Sequence, residues 1–254
     1  MLYPVNGKRT KWVVEVDSGV ATPLTHSGLL ENHPRWSPTG REIVSAAQGP
    51  KSWNAYVRAT DGSGESRPIA AEEAINEYPA DWSPDGNFIL LVTSVDNLDL
   101  WYLKRLPDGK FERVRLLVTD STERHARFSP DGKYFAYCSN ESGRDEVYVR
   151  GFPSADNKVR VSHNGGCTPL FTANGRELLF IEGDALMTAP VTLAPVFASG
   201  TPRFLFRNSD LISAFNIPAT ADGQRFLFAE PVLIGGEGPS PLDSSGGKLV
   251  RGIP

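Results

Sequence analysis

The sequence predicts an all-β fold, a β-propeller of four-stranded antiparallel blades. Three observations predict it: a turn phrase that recurs at nearly constant spacing, an apolar run after each copy, and a near absence of helix signals. The closing glycines of the phrase lie 46, 46, 43 and 48 residues apart, and a period in the forties is typical of propeller blades. The five copies, the last two decayed, are Trp36–Gly40, Trp82–Gly86, Phe128–Gly132, Phe171–Gly175 and Ala219–Gly223.

Each copy of the phrase has the composition of a tight turn that opens a buried strand. Proline presets φ for the first corner, Asp bonds its own backbone, and Gly accepts a positive φ. A short apolar run follows, which suits a strand buried on both faces, as a blade between two neighbours requires. The aromatic anchors Trp36, Trp82, Phe128 and Phe171 repeat at the blade period and are predicted to pack between blades. The runs are Ile43–Val44, Phe88–Val92, Tyr134–Tyr137, Leu178–Ile181 and Phe226–Phe228.

Two further strands complete each repeat as a four-stranded meander. Third strands are predicted around Tyr56, Trp101, Tyr148 and Leu186, and fourth strands follow them. The predicted blades therefore cover approximately residues 33–70, 78–118, 125–161 and 168–207.

The two ends of the chain are out of phase with the repeats and complement each other. Residues 11–25 read as third and fourth strands, and residues 215–230 read as first and second strands. Pairing them would close a ring of five blades over residues 1–230 and would remove two exposed sheet edges. A fragment cut within a blade would show the same complementary ends. Residues 231–254 are rich in Gly, Pro and Ser and are predicted to form a flexible tail.

Composition excludes several classes of partner. The formal net charge is −4 with no basic run, which argues against a nucleic-acid surface. No stretch of about 18 apolar residues occurs, so no membrane insertion is expected, and residues 1–8 lack the apolar core of a signal peptide. Cys138 and Cys167 are predicted to be free, partly buried thiols; the alternative, a disulfide, would need their Cα atoms within about 7 Å.

Motifs for catalysis are missing, so the chain is predicted not to be an enzyme. It contains no Gly-x-Ser-x-Gly nucleophile elbow and none of the protein-kinase motifs. The four histidines and two cysteines show no ligand spacing for zinc, and no metal or cofactor is expected. A channel-site hydrolase or lyase stays as an alternative, with Asp81 and the neighbouring Glu31 and Glu77 as its carboxylates.

The candidate binding residues lie on the innermost strands, which line the central channel of a propeller. Charged side chains there must face channel water or pair with one another, because an unpaired buried charge is too costly. We expect a funnel mouth that receives a peptide segment or a small anionic ligand. The same side chains could instead form an inter-blade ring of salt bridges capped by aromatic rings. The candidates are His33, Arg35, Tyr78, Asp81, His125 and Arg127.

The chain resembles the TolB-type, WD-like propeller repeats, above all the C-terminal sensory propellers of bacterial serine/threonine protein kinases. The resemblance is carried by Asp99–Trp101, Phe128–Gly132, Ser139–Arg144, Glu146–Pro153 and Asp222–Leu227. It implies a non-catalytic module that binds a protein or peptide, or a small molecule, outside the cytoplasm. Similar repeats occur in prolyl-oligopeptidase-like hydrolases, so a propeller without its catalytic domain is an alternative, as is a detached part of a receptor kinase.

Overall fold

The computed structural model describes residues 30–209, apart from 62, 64, 71–74 and 95–96, together with residues 20, 211 and 217 and the backbone of five strands near the two ends. Within these residues the regular secondary structure is β, and no helix is long and apolar enough to cross a membrane.

Four successive antiparallel sheets form the described body, the first three with four strands each and the fourth with five. The first three blades are β4 to β7, β8 to β11 and β12 to β15. The fourth is β16 to β18, with β19 and β20 both paired to β18. The strands are, in order, β1 (Leu2–Val5), β2 (Lys8–Val14), β3 (Ala21–Pro23), β4 (Glu31–Trp36), β5 (Glu42–Gln48), β6 (Trp53–Ala59), β7 (Arg67–Ala70), β8 (Asn76–Trp82), β9 (Phe88–Ser94), β10 (Leu98–Arg105), β11 (Phe111–Leu117), β12 (Glu123–Phe128), β13 (Tyr134–Ser139), β14 (Glu146–Gly151), β15 (Val159–Arg160), β16 (Cys167–Phe171), β17 (Glu177–Glu182), β18 (Ala185–Thr192), β19 (Ala198–Ser199), β20 (Arg203–Arg207), β21 (Arg225–Ala229) and β22 (Gly247–Arg251).

The second strand of each blade is buried on both faces, as its apolar run predicts. Consecutive residues of β5, β9, β13 and β17 are buried, with partial exposure mainly at the strand ends. A strand in a two-layer sandwich would instead alternate between buried and exposed residues. The blades therefore lie face to face with neighbours on either side.

Three hydrophobic clusters of the described residues each join two successive blades, and a fourth joins the last of these blades to Leu211 and Ile217. Val44 and Val57 of the first blade pack with Trp82 and Leu91 of the second. Corresponding clusters join the second blade to the third and the third to the fourth. The first strands β4, β8, β12 and β16 each contact the next in the series. This arrangement of four-stranded sheets around their first strands is that of a β-propeller.

One of the four aromatic anchors departs from the predicted core. Trp82 and Phe128 are each 6% exposed and Phe171 is 7% exposed, whereas Trp36 is 51% exposed. The prediction is wrong for Trp36. Trp82, Phe128 and Phe171 each pack against the four-stranded blade that precedes their own, whereas the blade that carries Trp36 follows the short strands β1 to β3.

The strands described at the two ends of the chain pair with strands of their own end. β2 pairs with β1 and β3, and β21 pairs with β22, so the expected pairing of residues 11–25 with residues 215–230 is not among the described pairings. The apolar residues Leu249 and Val250 supply a partner for Leu227 and Phe226. Part of the predicted flexible tail is thus a strand, and the rest of residues 231–254 lies outside the described residues. The count of five blades stays a prediction.

The two cysteines form a disulfide, contrary to the prediction of free thiols. Cys138 lies on β13 and Cys167 on β16, with their Cα atoms 5.0 Å apart, within the range that a disulfide requires. The residues are 29 positions apart in sequence and belong to different blades. Only the packing of the third blade against the fourth brings them together.

Candidate functional site

The first strands of the blades carry the candidate residues, and each contains an irregularity that redirects side chains. The pairing of β4 with β5 shifts register between Asn32 and Arg35, and equivalent shifts occur in β8, β12 and β16. Such bulges place an extra residue on one strand and re-aim its side chains. They recur in four blades because the repeat sequence recurs.

Three residues at these bulges have a left-handed backbone although none is glycine. The φ angles are 50° at His33, 56° at His125 and 54° at Thr168. A left-handed conformation is costly for a residue with a side chain, and such strain tends to occur at binding sites and active sites. The three residues occupy the same position of the repeat, three residues before the aromatic anchor.

Arg35 and Arg127 converge on a single backbone atom of the blade between them. The Nε of Arg35 and the Nη1 of Arg127 both donate to the carbonyl oxygen of Ala80. Arg35 also donates from Nη1 to the carbonyl of Pro34 at 2.9 Å. Strands β4, β8 and β12 thus bring two guanidinium groups, predicted from different repeats, to one place.

Asp81 supplies a carboxylate beside these arginines. Its Oδ2 accepts a hydrogen bond from the backbone amide of Phe128 at 2.9 Å, which links the second blade to the third. Burial lowers the pKa of Arg35 to about 9; Arg127 adds to this effect and Asp81 opposes it. Burial also lowers the pKa of Arg127, again against the charge of Asp81. The local charge is therefore positive, with two cations close together.

The two histidines at the mouth are held neutral by the same surroundings. Burial lowers the pKa of His33 to about 4, with the charges of Arg35 and Arg127 adding to it. Burial lowers the pKa of His125 to about 4 as well, and nearby arginines, first Arg124, contribute. Neutral imidazoles offer one donor and one acceptor each, so they can orient a ligand without adding charge.

An aromatic wall lies on one side of the cluster. The rings of His33 and Tyr78 are 5.2 Å apart between centroids, and the ring of Trp53 lies 6.3 Å from that of Tyr78. Burial raises the pKa of Tyr78, which keeps its hydroxyl protonated. Trp53 begins the third strand of its blade, and the sequence analysis did not include it.

Thr168 is a second residue that the sequence analysis missed. Its Oγ1 lies 2.9 Å from the Nδ1 of His125, so the fourth blade also contributes to the mouth. The repeat could have indicated Thr168, because this residue lies three positions before its aromatic anchor, as His33 and His125 do before theirs. The six predicted residues are brought together by the first strands of three blades, and Thr168 extends the cluster to a fourth.

The carboxylates proposed for a channel hydrolase are engaged within their own blades. Glu31 and Glu77 are 1% and 0% exposed. Glu31 accepts a hydrogen bond from Ser45, and Glu77 accepts one from Arg113 at 3.1 Å. Both lie on first strands, Glu31 at the start of β4 and Glu77 near the start of β8. The cluster therefore combines guanidinium, imidazole and phenol groups with one carboxylate, and guanidinium groups are the side chains that pair best with carboxylates.

Comparisons with known proteins agree with this architecture. Residues 6–193 match the family model described as the TolB β-propeller domain. The structure of TolB from Acinetobacter baumannii is similar at 19% identity and a TM-score of 0.67, over 89% of this chain and 55% of that one. A putative TolB from Agrobacterium tumefaciens is similar at 14% identity and a TM-score of 0.62, over 77% and 74%.

A prolyl endopeptidase structure is also similar, at 13% identity and a TM-score of 0.51, over 80% of this chain and 34% of that one. At these identities the likenesses concern the fold. The chain spans about half the length of the first of these structures, the Acinetobacter TolB.

Proposed function

Because this chain belongs to the TolB β-propeller domain family, we propose that it is a non-catalytic binding or sensory module. Its channel mouth receives an acidic segment of a protein or peptide partner, and a small anionic ligand is the second candidate. The mouth is formed by the six predicted residues together with Thr168 and Trp53.

The convergence of Arg35 and Arg127 on the carbonyl of Ala80 carries this proposal. Two guanidinium groups beside one carboxylate give a local excess of positive charge, which attracts anions and raises their local concentration. Each guanidinium is a planar fork that fits a carboxylate. The aromatic rings of Tyr78 and Trp53 would contact the apolar parts of a bound peptide.

The described carboxylates give less support to catalysis. A hydrolytic pair needs two carboxyl groups facing a common substrate position, and Glu31 and Glu77 hydrogen-bond within their blades. Asp81 accepts a hydrogen bond from the backbone amide of Phe128 on the third blade, so this carboxylate is engaged in a contact between blades. These contacts favour a binding site over a channel hydrolase.

Fluorescence anisotropy with two labelled peptide pools tests the proposal. One pool is rich in Asp and Glu, and the other has the same length with Asn and Gln in their place. We expect the acidic pool to bind more tightly and its affinity to fall as salt is added, because salt screens the attraction. Arg127→Ala should weaken binding by about tenfold or more, in line with the loss of a charge-assisted hydrogen bond.

Arg176→Ala is the matched control, since Arg176 is exposed on a turn of the fourth blade and should leave affinity unchanged. Arg35→Lys preserves the charge and should weaken binding less than Arg35→Ala. The proposal is wrong if the acidic and amide pools bind equally, or if Arg35→Ala and Arg127→Ala lower the melting temperature while leaving the affinity of the acidic pool unchanged.

A further inference from the structure

The disulfide lies within a group of side chains that are all able to bind a metal ion. The sulfur atoms of Cys138 and Cys167 and a carboxylate oxygen of Asp145 all lie within 4.8 Å of one another. They come from β13, from β16 and from the residue directly before β14. The sequence showed no ligand spacing because these residues belong to three separate segments of two blades.

His125 lies beside this group, in contact with one of its three members, and could complete it as a fourth ligand. Its Nδ1 is 3.4 Å from the Sγ of Cys167. In a tetrahedral zinc site the nitrogen and sulfur ligands lie about 3.5 Å apart, given bonds of about 2.0–2.1 Å to nitrogen and about 2.3 Å to sulfur. The observed distance between His125 and Cys167 therefore already matches one edge of such a site.

The charges around the group also fit a divalent cation. Two thiolates and the carboxylate of Asp145 would carry three negative charges. Arg124 donates from Nη2 to Oδ2 of Asp145 and provides one positive charge. A bound Zn²⁺ would bring the total to zero, which a half-buried site favours because an uncompensated charge there is costly.

We propose that Cys138, Cys167, Asp145 and His125 bind one zinc ion when the disulfide is reduced. A dithiol reductant transfers two electrons and two protons to the S–S bond and leaves as a cyclic disulfide. Zinc then displaces the two thiol protons to solvent, and the sulfur atoms separate to about 3.8 Å, the edge of a tetrahedron with Zn–S bonds of about 2.3 Å.

The zinc form keeps the third and fourth blades joined when the covalent bond is lost. Cys138 and Asp145 belong to the third blade together with His125, and Cys167 belongs to the fourth. Coordination through Nδ1 also replaces the contact of His125 with Thr168. The redox state of the cysteines would therefore alter one residue of the channel mouth.

Cobalt titration of the full chain tests this site. The protein is reduced with a dithiol and freed of reductant without oxygen, and Co²⁺ is then added. We expect one equivalent to bind with the intense visible absorption of tetrahedral cobalt and with thiolate-to-cobalt charge transfer. Added Zn²⁺ should displace it. The oxidised protein should show neither absorption.

Variants of each ligand distinguish this site from adventitious binding. Cys167→Ser should abolish the charge-transfer band of the Cys167 thiolate. His125→Ala and Asp145→Asn should each weaken Co²⁺ binding by about 10- to 100-fold or more, because the loss of a direct ligand should cost at least as much as the loss of a residue that hydrogen-bonds to a ligand. His163→Ala and Asp108→Asn, both at exposed positions, are the matched controls. Binding by the oxidised protein, no binding by the reduced protein, or unchanged affinity in His125→Ala and Asp145→Asn would each overturn the proposal.

Discussion

A Cβ atom added to Gly132 would lie 3.5 Å from the Cδ of Pro84, so the glycine corner of the third blade lies directly beside the proline corner of the second. The same relationship holds for Gly86 and Pro38, where the added Cβ would lie 3.6 Å from the Cγ of the proline. The turn phrase therefore specifies more than a local turn, since its corners are also neighbours from blade to blade.

Alanine substitutions at three of these corners separate backbone strain from steric contact. The φ angles of Gly40, Gly132 and Gly175 are nearly equal, at 69°, 70° and 66°. Gly40→Ala and Gly132→Ala should each lower the free energy of unfolding by about 1–2 kcal/mol, since the added Cβ meets nothing at Gly40 and only an ordinary contact at Gly132. Gly175→Ala should cost more, because its Cβ would lie 2.8 Å from Cδ1 of Leu193. Urea unfolding measures all three, and equal losses would contradict the steric explanation.

Reduction of the disulfide should lower stability. Cys138 and Cys167 close a loop with a sequence separation of 29, for which the loss of chain entropy in the unfolded state predicts roughly 3–4 kcal/mol. Urea unfolding with and without a dithiol, in the presence of a metal chelator, measures the difference. In the double variant Cys138→Ala with Cys167→Ala, reductant should have no effect. Equal midpoints for the oxidised and reduced forms of the unmodified chain would show that the bond adds nothing.

The free energy of unfolding should fall as the pH falls from about 6.5 to about 4. Folding lowers the pKa of His33 and of His125 from 6.5 to about 4, so in this window the unfolded chain binds protons that the folded chain does not. The stability that these histidines contribute is complete above their unfolded pKa and is lost through this window. One pKa unit corresponds to about 1.4 kcal/mol, so the two together should account for a few kcal/mol.

Chemical unfolding at a series of pH values checks this prediction. His33→Gln with His125→Gln should flatten the curve between pH 6.5 and 4, whereas His163→Gln, at an exposed position, should not. A double variant with the unaltered slope would show that other groups cause the pH dependence.

Glu146 should be among the most sensitive positions of the third blade. Burial would raise its pKa, but hydrogen bonds from Ser162, Arg144, the Gly165 amide and Arg160 outweigh burial and lower it. Glu146→Gln removes the charge that pairs two partly exposed arginines and weakens the hydrogen bonds that a buried carboxylate accepts, so it should cost about 1.5–3 kcal/mol. Thermal or urea unfolding measures the loss.

Glu141→Gln is the control for this substitution. Glu141 is exposed and pairs with Lys158 at 2.7 Å, and a surface pair of this kind is worth about 1 kcal/mol or less. If the two substitutions had equal effects, the buried network around Glu146 would contribute no more than a surface ion pair.

The sequence predicted the repeated part of the fold well because its signals are local. A turn phrase and an apolar run lie within about twelve residues of each other, and both recur in every blade. The pairing at the ends was predicted because residues 11–25 and residues 215–230 look like complementary halves of one blade. This pattern does not show whether another segment of the chain pairs with either half. Leu249 and Val250 pair with β21, although their Gly- and Ser-rich surroundings resemble a linker.

The candidate site was predictable to the extent that it follows the repeat. The six proposed residues meet because first strands meet in a propeller. The hydrogen bonds of Arg35 and Arg127 to the carbonyl of Ala80 depend on the geometry of the bulges, which the residue types do not indicate. Trp53 reaches the mouth from a third strand, and a rule based on first strands excludes it.

The bond between Cys138 and Cys167 encloses the exposed hairpin at residues 140–144. A protease that cuts this hairpin leaves two fragments, one ending and one beginning within the third blade, that stay covalently attached. On a gel without reductant the nicked chain would migrate near its full mass, and only reductant would release the pieces. Damage at this loop would thus leave the third and fourth blades covalently connected.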